Sequence, residues 1–265
     1  MGLRRTTSTD DKESLIRDEF GLHKLIVAAT SPGKIYGIDN LTGKIVWQIK
    51  IDDIEPYHSI KPTLPFFELR TARHAPYPAK CAILAKHKIT QEGVLIIFNP
   101  ITGQLEDNTK KLIKLGFKVK QSLLLHEVDE EFSKGILFLD DENNVHVYPD
   151  SSKSIAISLA PSTFIFTADA STGILEGYSL ALSTKDKLIS TRMWQIRLGQ
   201  GSDKIISVLA KNNLERVHSQ GRVLGDRSVL YKYVNPNLVS VITQGYHPSH
   251  KSKFCLTKPK KVFFF

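Results

Sequence analysis

Short runs of β-branched and aromatic residues alternate with tight polar turns along this chain, and helical periodicity is scarce. The clearest example lies at residues 33–47, where the apolar runs 35–38 and 45–47 flank a polar turn. β-Branched and aromatic side chains pack well on a pleated strand. In the turn, the Asp39 carboxylate can accept hydrogen bonds from backbone amides, and Gly43 can adopt a positive φ without a Cβ clash. This pattern predicts a β-hairpin.

The same turn pattern, Asp or Asn followed by two residues and then Thr-Gly, recurs at 99–103 and 169–173. Three such turns indicate an internal repeat. Two further hairpins are predicted at the turns 140–144 and 235–237, the second of which pairs 228–234 with 238–243. The mean spacing of the five turns is close to that of a propeller blade, about 40–50 residues. The chain is therefore predicted to be all-β, with about four to five blades of an incomplete β-propeller ring.

Composition divides the chain into three regions. Residues 1–17 are polar and mixed in charge, which predicts a disordered N-terminal segment. Residues 18–250 form the incomplete β-propeller region, in which the stretch 51–78 contains five prolines and is predicted to be an extended loop. Residues 251–265 form a basic, aromatic tail that fits no blade.

Charge and cysteine content exclude several classes of protein. The 265 residues include 36 Lys+Arg and 27 Asp+Glu, a net charge of +9, but eleven of the basic and only three of the acidic residues follow position 200. Because the basicity is regional, nucleic-acid binding is not predicted. Two cysteines are too few for a disulfide-rich scaffold or a four-cysteine zinc site. No apolar run reaches the roughly 18–20 residues that span a bilayer, and the N-terminus lacks the apolar segment of a signal peptide.

Residue types that carry catalysis or bind metals form no recognisable constellation. The nine histidines are scattered without a His-Glu-x-x-His pair, and the spacing of His247 and His250 in a polar loop indicates a solvated pair. A nucleophile elbow and a phosphate-binding loop are absent from the sequence. We therefore expect no enzymatic activity, no catalytic residue, no cofactor and no metal site.

Residues 33–47 resemble the blade of quinoprotein-like propellers, which are related in architecture to WD40-like propellers. The resemblance implies that Trp47 packs between neighbouring blades, and Trp194 repeats the pattern in a later strand. It also raises the possibility of a quinone-dependent dehydrogenase. The chain is too short for the propeller of such an enzyme, and it lacks the vicinal cysteine pair that many of them contain.

The most distinctive segment is 217–238, in which two glycines bracket a short strand and an Asn-Pro-Asn turn follows two tyrosines. It resembles the family of subunit 1 of the endoplasmic reticulum (ER) membrane protein complex. The resemblance covers about residues 14–252 and includes the stretches 18–25, 33–47, 95–103, 121–125, 140–142 and 159–162. The candidate interaction or structural residues of this motif are Arg222, Asp226, Arg227, Tyr231 and Asn235.

This resemblance implies a scaffold role. Family members are longer, single-pass membrane proteins with a large lumenal part made of β-propellers, and their complex inserts transmembrane and tail-anchored proteins into the ER membrane. The implied partners are the other subunits and, indirectly, client membrane proteins. Because the chain lacks a signal peptide and a membrane-spanning helix, it is predicted to be an internal lumenal piece with a foreign tail. The alternative is an independent, soluble β-propeller interaction module.

Residues 40–42, Asn-Leu-Thr, form an N-glycosylation tripeptide on a predicted exposed turn. Asn40 can accept a glycan only if the chain enters the secretory lumen. Alternatively, Asn40 and Thr42 only form the turn. The sequence favours neither the glycosylation site nor the purely structural turn.

Overall fold

The computed structural model describes residues 21–57, 63–106, 112–183, 187–198, 204–210, 221–231, 239–245 and 255–256. Within these ranges the chain is built almost entirely of β-strands, and the predicted all-β class is confirmed. The chain divides into two compact units, residues 1–165 with 177–193, and residues 166–176 with 194–265. The predicted disordered segment 1–17 lies outside the described residues.

The first sheet of the first unit consists of three antiparallel strands, β1 (Leu25–Ala29), β2 (Lys34–Asp39) and β3 (Ile45–Lys50). Val27, Gly37 and Trp47 lie opposite one another across it. A register shift follows Gly37, where the strand pairing with β3 is irregular. Residues that lie directly opposite share a face of the sheet, so these three form one row.

The second sheet contains β4 (Ile54–Glu55), β5 (Phe66–Arg70), β6 (Lys80–His87), β7 (Gly93–Phe98) and β8 (Ile113–Lys114). β6 pairs with β4, β5 and β7. The loop predicted for 51–78 therefore contains two strands. Its prolines do not prevent this, because Pro56 follows β4 and Pro65 precedes β5, at strand ends where proline is tolerated.

The third sheet has the order β11 (Val145–Tyr148), β10 (Lys134–Asp140) and β9 (Val119–Val128). It is followed by a helical segment that the sequence did not predict, with α1 (Lys153–Leu159) between two short 3-10 turns. Only Ala156 and Leu159 of this helix are buried. A helix of two turns offers too few apolar repeats to be detected by periodicity.

Strands β12 (Phe164–Ala168), β13 (Ile174–Leu182) and β14 (Leu188–Arg197) form a sheet in that order. In the second unit, β15 (Lys204–Ala210) pairs with β18 (Val239–Gly245), which pairs with β19 (Cys255–Leu256). β16 (Gly221–Val223) pairs with β17 (Val229–Tyr231).

Two predictions for the C-terminal part are corrected by these pairings. In the described parts of 228–234 and 238–243, the predicted hairpin is replaced by other pairings, because β17 pairs with β16 and β18 pairs with β15. The predicted turn 235–237 lies outside the described residues. In addition, β19 falls inside the segment 251–265 that the sequence excludes from the blades, so part of this segment does join a sheet.

Successive sheets of the first unit pack through shared apolar cores. Ile35 and Trp47 of the first sheet share one apolar core with Ile83, Ile96 and Phe98 of the second. A separate cluster joins the second sheet to the third and includes Leu69, Leu84, Leu95, Ile136 and Phe138. Because β6 and β7 lie between these two cores, both of their faces are buried. Consecutive sheets stacked face to face are the arrangement of propeller blades.

Candidate functional site

The three Asp/Asn-x-x-Thr-Gly turns have the same backbone geometry. In the first, the Asp39 amide donates to Lys44 O at 2.9 Å and the Gly43 amide donates to Asp39 O at 2.8 Å. Both bonds recur in the turns that begin at Asn99 and Asp169. The glycine that closes each turn has a φ of 67° to 72°. This left-handed conformation is costly for residues with a Cβ, which explains the repeated glycine.

The aspartates that begin the first and third of these turns accept hydrogen bonds from residues of their own turn. Asp39 accepts from the Thr42 hydroxyl at 2.7 Å and the Leu41 amide at 3.1 Å. The Thr42 bond, followed by the Leu41 bond, holds the pKa of Asp39 below its ordinary value. Burial alone would raise the pKa of Asp169, but bonds from Ser171 and Thr172 outweigh it and lower the pKa. These carboxylates therefore stabilise the turns.

A further turn of this class begins at His87 and contains neither the acid nor the glycine. The His87 amide donates to Glu92 O and the Gln91 amide donates to His87 O, both at 2.9 Å. Nδ1 of His87 accepts weakly from the Ile89 amide at 3.3 Å, and Gln91 has a φ of 60°. His87 and Gln91 stand where the other turns have Asp or Asn and Gly, so the sequence motif does not mark this turn. The two apolar strands that flank the turn are the only sequence signal for it.

Trp47 lies between the first and second sheets with 4% of its surface exposed. Its ring meets the edge of Phe98 at a centroid distance of 5.8 Å. Gly37 and Gly103 lie against the indole so closely that a Cβ at either position would overlap it. This is the position between neighbouring sheets that the resemblance implies for Trp47. Trp194 is half-buried in β14.

Arg70 is a buried cation that was not predicted from the sequence. It is 4% exposed at the end of β5, and its guanidinium donates to Pro78 O and Glu131 O, each at 2.8 Å. The Glu131 carboxylate lies 3.6 Å away, and the Tyr77 ring lies under the guanidinium at 5.1 Å. Arg70 thereby connects the second sheet to the turn between β9 and β10.

Four of the five candidate residues of the 217–238 motif lie on the hairpin 221–231, and Asn235 lies outside the described residues. Arg222 is in β16, opposite Leu230, and Tyr231 ends β17. Asp226 accepts from the Ser228 hydroxyl at 2.6 Å and the Ser228 amide at 3.0 Å, which lowers the pKa of Asp226. Its carboxylate is therefore part of the turn.

Arg227 occupies the left-handed position of the same turn, with a φ of 67°. Its amide donates to Leu224 O at 3.0 Å, and the Leu224 amide donates to Ser228 O at 2.8 Å. This closed turn explains why β16 and β17 pair with each other. The Arg227 side chain itself is exposed.

The hairpin 221–231 exposes apolar side chains on both faces. Leu230 shares one face with Arg222 and is 58% exposed. Val223 and Val229 share the other face, and Val223 is 69% exposed. Apolar side chains grouped on the surface beside two arginines are typical of a protein interaction surface.

In the part of the chain that the structure describes, no group of three His, Cys, Asp or Glu side chains could hold a metal ion. Among the same residues, no helix has the length and apolar character needed to cross a membrane. The one cysteine whose side chain is described, Cys81, is buried, and burial together with the Glu68 carboxylate raises its thiol pKa to about 12.

Comparison with known proteins places these features in a family. The family model described as ER membrane protein complex subunit 1, second β-propeller, matches residues 21–257. ER membrane protein complex subunit 1 of Gallus gallus is 37% identical over 245 residues, which is 91% of this chain and 24% of that protein. The Xenopus laevis protein of the same name is 36% identical over 234 residues, 88% of this chain and 23% of that protein. The chain thus spans about a quarter of the length of these relatives.

Similar solved structures are more distant. The crystal structure of Kluyvelomyces marxianus Hsv2 is 12% identical and covers 84% of this chain and 57% of its own, with a TM-score of 0.34, too low to carry an argument. The family match is decisive instead. It confirms the predicted partial β-propeller, and it continues to residue 257, beyond the point near 252 where the resemblance was expected to stop. This chain belongs to the ER membrane protein complex subunit 1 family.

Proposed function

We propose that this chain is a lumenal scaffold region of an ER membrane protein complex subunit, which supports the insertion of transmembrane and tail-anchored proteins into the ER membrane. Its role is assembly, with other subunits of the complex as direct partners and client proteins as indirect ones. We propose no catalytic step for it. Family membership supports the assignment to this complex, and the sheets of the first unit, which pack through apolar cores, support a scaffold role.

The observation that carries the assembly role is the exposed hairpin 221–231. Among the described residues, β16 and β17 pair only with each other. A two-stranded hairpin is at best marginally stable in water, because it buries little apolar surface. Val223 and Leu230 are exposed, and a partner subunit that covered them would remove their apolar surface from water, which is favourable. The two arginines then supply charge-assisted hydrogen bonds to acidic groups of the partner.

Co-purification from cells tests this role in the full-length protein. We expect Arg222→Glu combined with Leu230→Ser, which changes one face of the hairpin, to reduce recovery of the other subunits severalfold. Lys44→Glu is the matched control, because Lys44 is exposed in a turn of the first sheet. If the double variant is as abundant as the wild type and recovers the other subunits equally well, this hairpin does not bind them.

The independent interaction module is distinguished by fractionation of the same cells. The scaffold role requires the protein without substitutions to sediment with ER membranes and with the other subunits. Recovery of the full-length protein from the cytosol without those subunits would favour the independent module.

A further inference from the structure

The sequence contains a single Asn-x-Ser/Thr tripeptide whose middle residue is not proline, at residues 40–42. The structure places it in the turn between β2 and β3, where Asn40, Leu41 and Thr42 are all exposed. An exposed turn is the setting in which such tripeptides accept N-linked glycans. The turn itself does not require asparagine at this position, since the equivalent residue of the turn at Asp169 is Ala170.

The Asn40 side chain bonds the backbone of the segment before β1, and these hydrogen bonds are compatible with a glycan. Its Oδ1 accepts from the Lys24 amide at 2.7 Å, and its Nδ2 donates to Leu22 O at 2.9 Å. Glycosylation replaces one of the two hydrogens on Nδ2 and leaves Oδ1 unchanged. The bond to the Lys24 amide therefore survives in the modified side chain, as does the backbone bond from the Asn40 amide to Lys24 O at 3.1 Å.

We propose that Asn40 is an N-glycosylation site of this protein. The co-substrate is an oligosaccharide linked through a diphosphate to a lipid carrier. The bond between the anomeric carbon and the diphosphate oxygen breaks, and a bond between that carbon and Nδ2 of Asn40 forms. The lipid diphosphate leaves with the bonding electrons, and Nδ2 releases one proton to a base of the transferase.

This site rests on the lumenal placement proposed above, because the lipid-linked donor is used on the lumenal side of the ER. The glycan would project from the edge of the first sheet at the β2–β3 turn. A bulky, hydrophilic glycan at this turn keeps the edge of the sheet exposed to solvent. Partner subunits would accordingly bind away from this turn.

The test uses the full-length protein expressed in cells, with glycopeptide mass spectrometry and treatment with an N-glycosidase. We expect a glycan on the peptide that contains Asn40 and a faster gel mobility after treatment. Asn40→Gln and Thr42→Ala should each abolish that glycan. Thr42→Ser is the matched control that retains both the tripeptide and a hydroxyl donor for Asp39, so the glycan should remain.

Ala170→Asn separates failure of this site from failure of the lumenal placement. It creates Asn-Ser-Thr in the turn at Asp169, which has the same backbone hydrogen bonds as the turn at Asp39. A glycan at position 170 with none at Asn40 would overturn the Asn40 site and leave the placement intact. Absence of a glycan from both positions would overturn both proposals. A glycan on Asn40 supports both, whatever happens at position 170.

Discussion

Two glycines with equivalent turn geometry differ in what surrounds them, and this difference gives a quantitative prediction. Gly43 and Gly103 close the first two repeated turns with φ values of 69° and 72°. A Cβ at position 43 would meet no atom within 4 Å. A Cβ at position 103 would lie 2.6 Å from Cδ2 of Trp47. The first substitution therefore tests backbone strain alone, and the second adds a steric clash.

The expected costs follow from these surroundings. Gly43→Ala should lower the free energy of unfolding by about 1 kcal/mol, the usual cost of a left-handed residue with a Cβ. Gly103→Ala should lower it by about 2–4 kcal/mol, because overpacking a buried core adds roughly 1–3 kcal/mol. The ring cannot move away easily, since Trp47 also packs against Phe98 and Gly37.

Urea unfolding of the purified protein, followed by circular dichroism, measures these differences. Trp47→Leu in a double-mutant cycle with Gly103→Ala should recover about 1–3 kcal/mol of the second cost, because the clash needs the indole. The same Trp47→Leu background should leave the cost of Gly43→Ala unchanged. Equal costs for Gly43→Ala and Gly103→Ala, or no coupling to Trp47, would refute the proposed packing between the sheets.

Three further predictions concern buried or hydrogen-bonded groups. Asp169→Ala should lower the free energy of unfolding by about 1 kcal/mol near pH 7, since bonds to the ionised carboxylate are lost. The pKa of Asp169 is lowered in the folded state, so this contribution is complete above about pH 4 and declines at lower pH. The difference in unfolding free energy between the wild type and Asp169→Ala should therefore be smaller at pH 3 than at pH 7. The same difference at both pH values would contradict the assignment. In the Cys255→Ser variant, Cys81 should react with a thiol reagent only after unfolding, because burial raises its pKa to about 12; rapid labelling of the folded protein would contradict its burial. Arg70→Leu leaves Pro78 O and Glu131 O without their donor and should cost about 3 kcal/mol in urea unfolding, whereas a neutral result would show that water replaces the guanidinium.

Local patterns predicted the three Asp/Asn-x-x-Thr-Gly turns because these turns are stabilised by residues only a few positions apart. The repeated Asp-x-x-Thr-Gly sequence contains the carboxylate, the hydroxyl and the glycine that its hydrogen bonds and positive φ need. The turn at His87 escaped prediction for the same reason, since His87 and Gln91 fill these positions with residue types that carry no turn signal. The short helix α1 was missed because two buried residues do not make a periodic pattern.

The candidate residues on the hairpin 221–231 were found only as a group. The sequence selected Arg222, Asp226 and Arg227 together, but it could not separate their contributions. The structure shows that Asp226 bonds within the turn and that Arg227 adopts its left-handed position, while both arginine side chains face solvent. The exposed apolar side chains beside them were not predicted, because a strand of three residues has too little alternation to assign its faces.

By itself the sequence determined the strand-rich class, the repeated turns and the family resemblance, all of which depend on residues close together in the chain. Only the tertiary structure decided which strands pair across long separations, such as β15 with β18, and which face of each sheet is covered. Strand pairing depends on backbone groups that every residue carries, so composition alone does not specify the partner. Trp47 illustrates the difference: its residue type predicts burial, but the close approach of Gly103 is determined by the packing of the second sheet against the first.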